Sequence, residues 1–366
     1  MTRDYSTFLP STLKQGGSDR KPCPLTALGW QPCFAGQTGV DERLATPPVR
    51  IVEVHRGTLR VIGDGIDETI PPLQGATVGD WVLLDRAHAR SSRVLERKSL
   101  IQRRAPGTDR RIQLIAANID TVFIVSSCNQ DFNVARLERY IALAFEANIT
   151  PVIVLTKTDL TADVAAYAAK AAAISDLVPV VTLDATGDEP GVKLADWCGP
   201  GKTVAFLGSS GVGKSTLTNA LAGTDFIETR SIREDDAKGR HTTTRRQLHR
   251  VPGGCLVLDT PGMRELQLTD AAAGIDDVFA DLHALSARCR FNDCRHRTEP
   301  GCAVLAAIEC GDIDARRLDR WRKLKAEDAF NSASLAERRS KDKAFGKMVR
   351  RIKKQKTAKG WGTDGW

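Results

Sequence analysis

The sequence predicts a multidomain chain: a small β-barrel, an α/β domain on a doubly wound sheet, and an α-helical, zinc-binding C-terminal domain. Three observations predict it. Short strand-like runs crowd residues 48–97. Buried strands alternate with amphipathic helices from about 112 to 265. Beyond about 270 the strand-like runs stop and a tight Cys/His cluster appears. At 366 residues the chain is too long for one compact core. A composition of 42% hydrophobic and 27% charged residues is that of globular protein. No apolar run approaches the ~20 residues of a membrane span, and the N-terminus lacks the apolar stretch of a secretory signal. A cytoplasmic monomer with no membrane partner is expected.

Residues 1–47 are rich in Gly, Pro, Ser and Thr without a period, and a flexible N-terminal extension is expected there. Residues 48–108 carry the runs Arg50–Val54, Thr58–Ile62, Asp80–Leu84 and Arg93–Leu95, punctuated by Gly63-Asp64-Gly65, Pro71-Pro72 and Val78-Gly79-Asp80. Such spacing suggests a small barrel or sandwich, and the size suits an OB-type barrel. A different small β domain without a ligand fits the same pattern.

Residues 109–270 read as the α/β domain. Thr121–Val125 is a continuous apolar run, as a buried parallel strand requires. Val134, Leu137, Ile141 and Phe145 follow at helical spacing, then the strand Val152–Leu155. Residues 271–335 read as a zinc-binding helical domain and 336–366 as a basic, disordered tail.

Gly208-Ser209-Ser210-Gly211-Val212-Gly213-Lys214-Ser215, with Thr216 next, matches G-x-x-x-x-G-K-[ST]. The strand Thr203–Leu207 feeds it, and Leu217, Ala220 and Leu221 stripe the helix that follows. Glycines let backbone N–H groups face phosphates at a helix N-terminus. Lys214 is expected to reach the β/γ-phosphates and Ser215 to coordinate Mg²⁺. Downstream, Asp259-Thr260-Pro261-Gly262 ends the run Cys255–Leu258. Asp259 can hold Mg²⁺ through water, and the Gly262 N–H can meet the γ-phosphate. Between them lies Gly239-Arg240-His241-Thr242-Thr243-Thr244, where a threonine can complete the Mg²⁺ shell and make the segment a switch; a plain surface loop is the alternative. The three threonines cannot be separated by sequence; Thr243 is preferred.

Thr156-Lys157-Thr158-Asp159 directly follows a buried strand and resembles N-K-x-D. The Asp159 carboxylate can accept from guanine N1–H and the exocyclic amine, a donor pair adenine lacks. GTP and GDP are therefore the expected substrate and product, against the rival of an ATPase or small-molecule kinase. Thr156 departs from the usual Asn; T-K-x-D occurs in signal-recognition-particle GTPases. This motif precedes the P-loop, whereas in ordinary GTPases it follows D-x-x-G. A circularly permuted domain preserves the site, because the loops still converge at the strand C-terminal ends.

Nine cysteines include six scattered singly, as buried thiols in a reducing compartment are. Cys289-x₄-Cys294-x-His296-x₅-Cys302 offers three thiolates and an imidazole for one structural Zn²⁺. Cys310 and His283 are possible substitute ligands.

The net charge is +8, and eleven Lys or Arg stand against two acids from Glu337 to Lys359. A second run, Arg97, Lys98, Arg103, Arg104, Arg110 and Arg111, faces only Asp109. Clustered cations point to a phosphate-rich partner. With 5% aromatics, phosphate contact outweighs base stacking. A solvated charged face is the plainer alternative for each run.

From about residue 49 to 325 the chain resembles the circularly permuted small-ribosomal-subunit GTPase family RsgA (YjeQ). The resemblance rests on Val78-Gly79-Asp80-Trp81-Val82, Ala116-Ala117-Asn118-Ile119-Asp120, Arg139-Tyr140, the P-loop, Gly239–Thr244, Asp259–Gly262 and the spaced Cys/His cluster. It implies an OB-fold, a permuted GTPase domain and a zinc domain. It also implies late maturation of the small subunit, with rRNA contact, subunit-stimulated hydrolysis and release. The Ser-Ala loop expected behind guanine O6 reads Thr182-Leu183-Asp184-Ala185-Thr186. The water-orienting Gln that often follows D-x-x-G is Met263 here. His241 is the nearest substitute, and the resemblance points to it too.

Overall fold

The structure is a computed structural model that describes residues 24–104, 112–223, 246–259 and 268–332. His241, Thr243, Gly262, Arg110, Arg111 and the tail expected over 336–366 lie outside these residues.

Three short helices, α1 (Pro24–Ala27), α2 (Pro32–Ala35) and α3 (Val40–Ala45), open the described chain. The flexible extension expected over 1–47 is thus corrected for 24–47. Phe34 is buried, and Trp30 meets Trp81 edge-on at 4.7 Å. The Gln37 side chain bonds Glu96 in both directions, accepting from its N–H at 2.7 Å and donating to its carbonyl at 3.1 Å. These aromatic contacts fix a segment whose Gly and Pro content alone suggests disorder.

The β module comprises β1 (Pro48–Val54), β2 (Leu59–Gly63), β3 (Ile66–Ile70), β4 (Trp81–Leu83) and β5 (Arg93–Val94). β1 is its spine, antiparallel to β2 along its length and to β4 at its start. Val49, Ile51, Leu59, Val61, Ile66 and Val82 form its core, an OB-like arrangement of alternating inward side chains. β6 (Leu100–Arg104) and β7 (Ile112–Ala117) then form a separate antiparallel ribbon.

The α/β domain runs β8 (Thr121–Ser127), α4 (Val134–Glu146), β9 (Thr150–Thr156), α5 (Val164–Ala172), β10 (Val180–Thr182), α6 (Glu189–Lys193), β11 (Thr203–Leu207), α7 (Lys214–Ala222), β12 (Arg246–Arg250) and β13 (Leu256–Asp259). The strands lie in the order β10-β9-β8-β11-β13-β12. All neighbours are parallel except β12 and β13. β12 also pairs antiparallel with β1 at Glu53↔Gln247 and Val54↔Arg246. The β module and the α/β domain therefore share one 11-stranded sheet.

Residues between the two domains form a tight joint. The fully buried Arg50 donates to the Gly79 carbonyl at 3.2 Å, to the Leu28 carbonyl at 2.5 Å and to the Asn118 carbonyl at 3.2 Å. Burial pulls its guanidinium down to about 10, while Asp120 and Asp80 hold it up. Asp80, also buried, pairs with Arg97 at 2.7 Å, and Asp120 pairs with Lys98. Arg103 donates to Gln113 at 3.0 Å, and Arg104 lies 3.6 Å from Asp270. The four described cations of the second basic run are thus engaged within the protein, which weakens the reading of that run as a free polyanion surface.

The helical domain comprises α8 (Ala272–Val278), α9 (Ala280–Ser286), α10 (Ala303–Glu309) and α11 (Ala315–Ser332). It docks on α4. A Cβ at Gly274 would sit 2.1 Å from the Ala142 carbonyl oxygen, so only glycine permits this approach. The buried Glu138 accepts from Arg320 at 2.8 and 3.0 Å and faces Arg317 at 3.6 Å. Leaving such a carboxylate unpaired would be costly, so this contact holds α11 against α4. No described helix is long and apolar enough to cross a membrane.

Candidate nucleotide site and metal centre

The P-loop lies between β11 and α7, at the C-terminal edge of the parallel strands. Gly208 has φ +150°, and a Cβ there would lie 2.3 Å from the Val125 carbonyl oxygen. The loop therefore enters flush against β8. Gly211 and Gly213 also have positive φ, and Gly213 caps α7. Lys214 donates to the Gly208 carbonyl at 2.8 Å and to that of Ser209, bracing the curled loop. Its ammonium and the N-terminal amides of α7 are the donors that a phosphate-binding loop requires. Ser215 follows in the first turn, and its hydroxyl oxygen is a donor that suits a hard cation such as Mg²⁺. Ser209, Ser210, Val212 and Thr216 complete the sequence-predicted set. Arg136 of α4, which sequence reasoning missed, pairs with Asp131 at 3.0 Å and donates to the Ser209 hydroxyl.

The base motif meets this loop directly. β9 ends at Thr156, which is fully buried and donates its hydroxyl to the Val212 carbonyl at 2.7 Å. Thr156 therefore ties the base loop to the phosphate loop through a single hydroxyl. Lys157 takes a left-handed conformation at φ 57°, and a 3₁₀ turn follows over Thr158–Leu160. Asp159 lies exposed on that turn.

The Thr182–Thr186 loop arrives from β10. Asp184 accepts from the Thr186 N–H at 2.9 Å and from its hydroxyl at 2.8 Å. Ala185 is buried, and a Cβ at Gly213 would lie 3.7 Å from both the Ala185 Cβ and the Thr156 hydroxyl. The loop expected behind the base thus abuts both motifs. β13 runs parallel to β11 and ends at Asp259. Replacing Thr156 with Val keeps the volume and removes the hydroxyl. The orphaned Val212 carbonyl should cost about 1–2 kcal/mol, lowering GDP affinity roughly tenfold. Fluorescent-GDP titration measures this; unchanged affinity would show that the tie does not matter.

The Cys/His cluster forms a second centre. The ligand atoms of Cys289, Cys294, His296 and Cys302 all lie within 4.8 Å of one another. Cys289 and Cys302 sulfurs are 3.8 Å apart, and His296 Nδ1 is 3.5 and 3.4 Å from them. A tetrahedral zinc site has S···S edges of about 3.8 Å and S···N edges of about 3.5 Å. The sulfur separation is far beyond the roughly 2.05 Å of a disulfide. The residues fit zinc.

Two of the four groups are shifted towards the ligating form, while burial pushes the Cys294 thiol up to about 11. Burial, then Arg322, pushes His296 below its ordinary range, favouring the neutral imidazole. Burial opposes ionisation of Cys289, but the backbone N–H groups of Ala303 and Val304 draw its thiol down. Cys302 caps α10 and accepts from the Leu305 N–H at 3.5 Å. Cys310 and His283 are not in the cluster.

Residues 94–269 match the RsgA GTPase family. A Vibrio parahaemolyticus protein named small ribosomal subunit biogenesis GTPase RsgA 2 is 48% identical over 339 residues, covering 91% of this chain and 94% of its own. A Mesorhizobium japonicum protein named small ribosomal subunit biogenesis GTPase RsgA is 50% identical over 317 residues, covering 84% and 91%. The fold is similar to the crystal structure of YjeQ from Thermotoga maritima, with TM-score 0.55 and 27% identity over 76% of this chain and 96% of that one.

Proposed function

We propose, from the premise that this chain belongs to the RsgA GTPase family, that it is a GTP hydrolase acting in late maturation of the small ribosomal subunit. The relatives' names carry the subunit assignment. The observation that carries the nucleotide assignment is the tie between Thr156 and Val212, which brings a guanine-type carboxylate loop against a P-loop in permuted order.

In this reading Asp159 selects guanine, Ala185 backs the base, and Lys214 with the loop amides of Gly208–Thr216 holds the β- and γ-phosphates. Ser215, Thr243 and Asp259 would hold Mg²⁺, which would screen the charge of the phosphate oxygens. Gly262 meets the γ-phosphate. His241 positions the attacking water, since Met263 cannot. The zinc domain and the basic tail contact rRNA, and the protein works in the cytoplasm as a monomer.

Turnover of the full chain, with and without small subunits, tests this. Subunits should stimulate hydrolysis of GTP and leave ATP untouched. His241→Ala should bind GTP normally and lose the stimulated rate. Hydrolysis indifferent to subunits would sink the ribosomal assignment.

A further inference from the structure

The turn between β8 and α4 touches both nucleotide motifs. On the base side, the Cys128 N–H donates to the Thr156 carbonyl at 2.9 Å, and the Thr156 hydroxyl reaches the Ser126 carbonyl at 3.3 Å. The turn is folded by its own side chains. Asn129 Oδ1 accepts from the Ser127 hydroxyl at 2.8 Å and from the Asp131 N–H at 2.9 Å. Asn133 then caps α4, accepting from the Arg136 N–H at 3.0 Å. These bonds hold Arg136 in the first turn of the helix, beside the phosphate loop.

Arg136 meets that loop through one nitrogen. Its Nη1 lies 3.0 Å from both carboxylate oxygens of Asp131 and donates to the Ser209 hydroxyl. All three residues are half-buried. Ser209 is therefore gripped by two cations, its hydroxyl by Arg136 and its carbonyl by Lys214. Lys214 also holds the Gly208 carbonyl, at 2.8 Å. Asp131 neutralises the guanidinium and fixes its direction. Arg136 thus serves as an oriented, charge-assisted donor to the loop rather than as one more charge for phosphate.

We propose that Arg136 is a positioning residue for the phosphate loop and that, by fixing Ser209, it favours the nucleoside triphosphate over the diphosphate. Lys214 is the loop's cation for the β- and γ-phosphates, and the Gly208 and Ser209 carbonyls set its direction. Without Arg136, Ser209 is free to turn its carbonyl away, and the ammonium loses half of its bracket. A triphosphate then loses an aligned donor on its γ side, where alignment matters most. A diphosphate loses less, because the amides at the start of α7 still meet its β-phosphate. This inference deepens the nucleotide reading proposed above and rests on it, but does not depend on the ribosomal one.

Competition against fluorescent GDP on the full chain, with Mg²⁺ present, tests it. Affinities for GDP and for a non-hydrolysable GTP analogue are compared in the wild type, Arg136→Gln, Ser209→Ala and the double variant. Each single change should weaken the GTP analogue about tenfold and GDP less than threefold. The double variant should weaken the analogue by the same tenfold and no more, since both changes cut one contact. An unchanged ratio of the two affinities in the single variants would overturn the proposal. A hundredfold loss in the double variant would overturn it too, because Arg136 would then act independently of Ser209. So would an equal loss of both nucleotides with a lower melting temperature, which marks a merely structural role. A wild-type chain that binds neither nucleotide would instead remove the nucleotide reading itself, and this proposal with it.

Discussion

Replacing Asp159 with Asn is expected to lower GTP and GDP affinity at least a hundredfold and to make xanthine nucleotides the better ligands. The guanine edge offers two donors, N1–H and the exocyclic amine. A carboxylate accepts both as charge-assisted hydrogen bonds, each worth about 1.5–3 kcal/mol. Asparagine keeps one acceptor and turns the other into a donor, which faces the amine and repels it. Xanthine carries an oxygen where guanine carries that amine, so its edge matches the amide. The geometry makes this substitution clean. Asp159 lies exposed on the turn after Lys157, whereas the structural tie to the P-loop is made by the buried Thr156. The variant should therefore fold and keep its phosphate cradle. Titration with fluorescent GDP and its xanthine counterpart measures the effect. Unchanged GDP affinity would mean that another group reads the base.

What could be read from the sequence was what neighbouring residues decide. The P-loop announces itself because its glycines, Lys214 and Ser215 act through one short stretch of backbone. The cluster from Cys289 to Cys302 announces itself because four ligands within fourteen residues converge through local turns. β3 was harder, since Ile66-Asp67-Glu68-Thr69-Ile70 buries only its two isoleucines and carries two acids.

Contacts between distant segments left no local signal. The pairing of β1 with β12 joins residues nearly two hundred apart in sequence. The basic run at Arg97 and Lys98 looked like a free surface because its partners, Asp80 and Asp120, lie outside it. Several family motifs serve the same joint. Gly79 and Asn118 both accept from Arg50, and Asn118 also donates to the Gly79 carbonyl at 3.0 Å. For residues 24–47, Trp30 and Phe34 were the usable signal, since large aromatics in a Gly- and Pro-rich stretch seek a surface to bury against.

Removing zinc should unfold the loop from Cys289 to Cys302 while leaving the nucleotide site intact. One zinc per chain is expected by elemental analysis. A strong chelator, or Cys302→Ser, should abolish it. Metal binding supplies on the order of 10 kcal/mol of folding free energy in small zinc modules, because the ligands have little else to hold them. Here the helices around the cluster have other support. Glu138 holds α11 through Arg320, and Gly274 seats α8 against α4. The damage should therefore stay local. His296 packs on Trp321 at 5.6 Å, and its carbonyl accepts from Arg322, so both contacts should loosen if zinc holds the imidazole and is withdrawn. Limited proteolysis should cut first between Cys289 and Cys302, at the exposed Arg290, Arg295 and Arg297. Meanwhile GDP affinity stays within twofold of the intact protein, because no residue of the P-loop or base motif touches the cluster among the described contacts. Cleavage in the cluster should also rise in step with the number of thiols open to a sulfhydryl reagent. A metal-free protein whose four cluster residues resist protease and reagent as before would show that packing alone holds this module, and that zinc is not part of its fold.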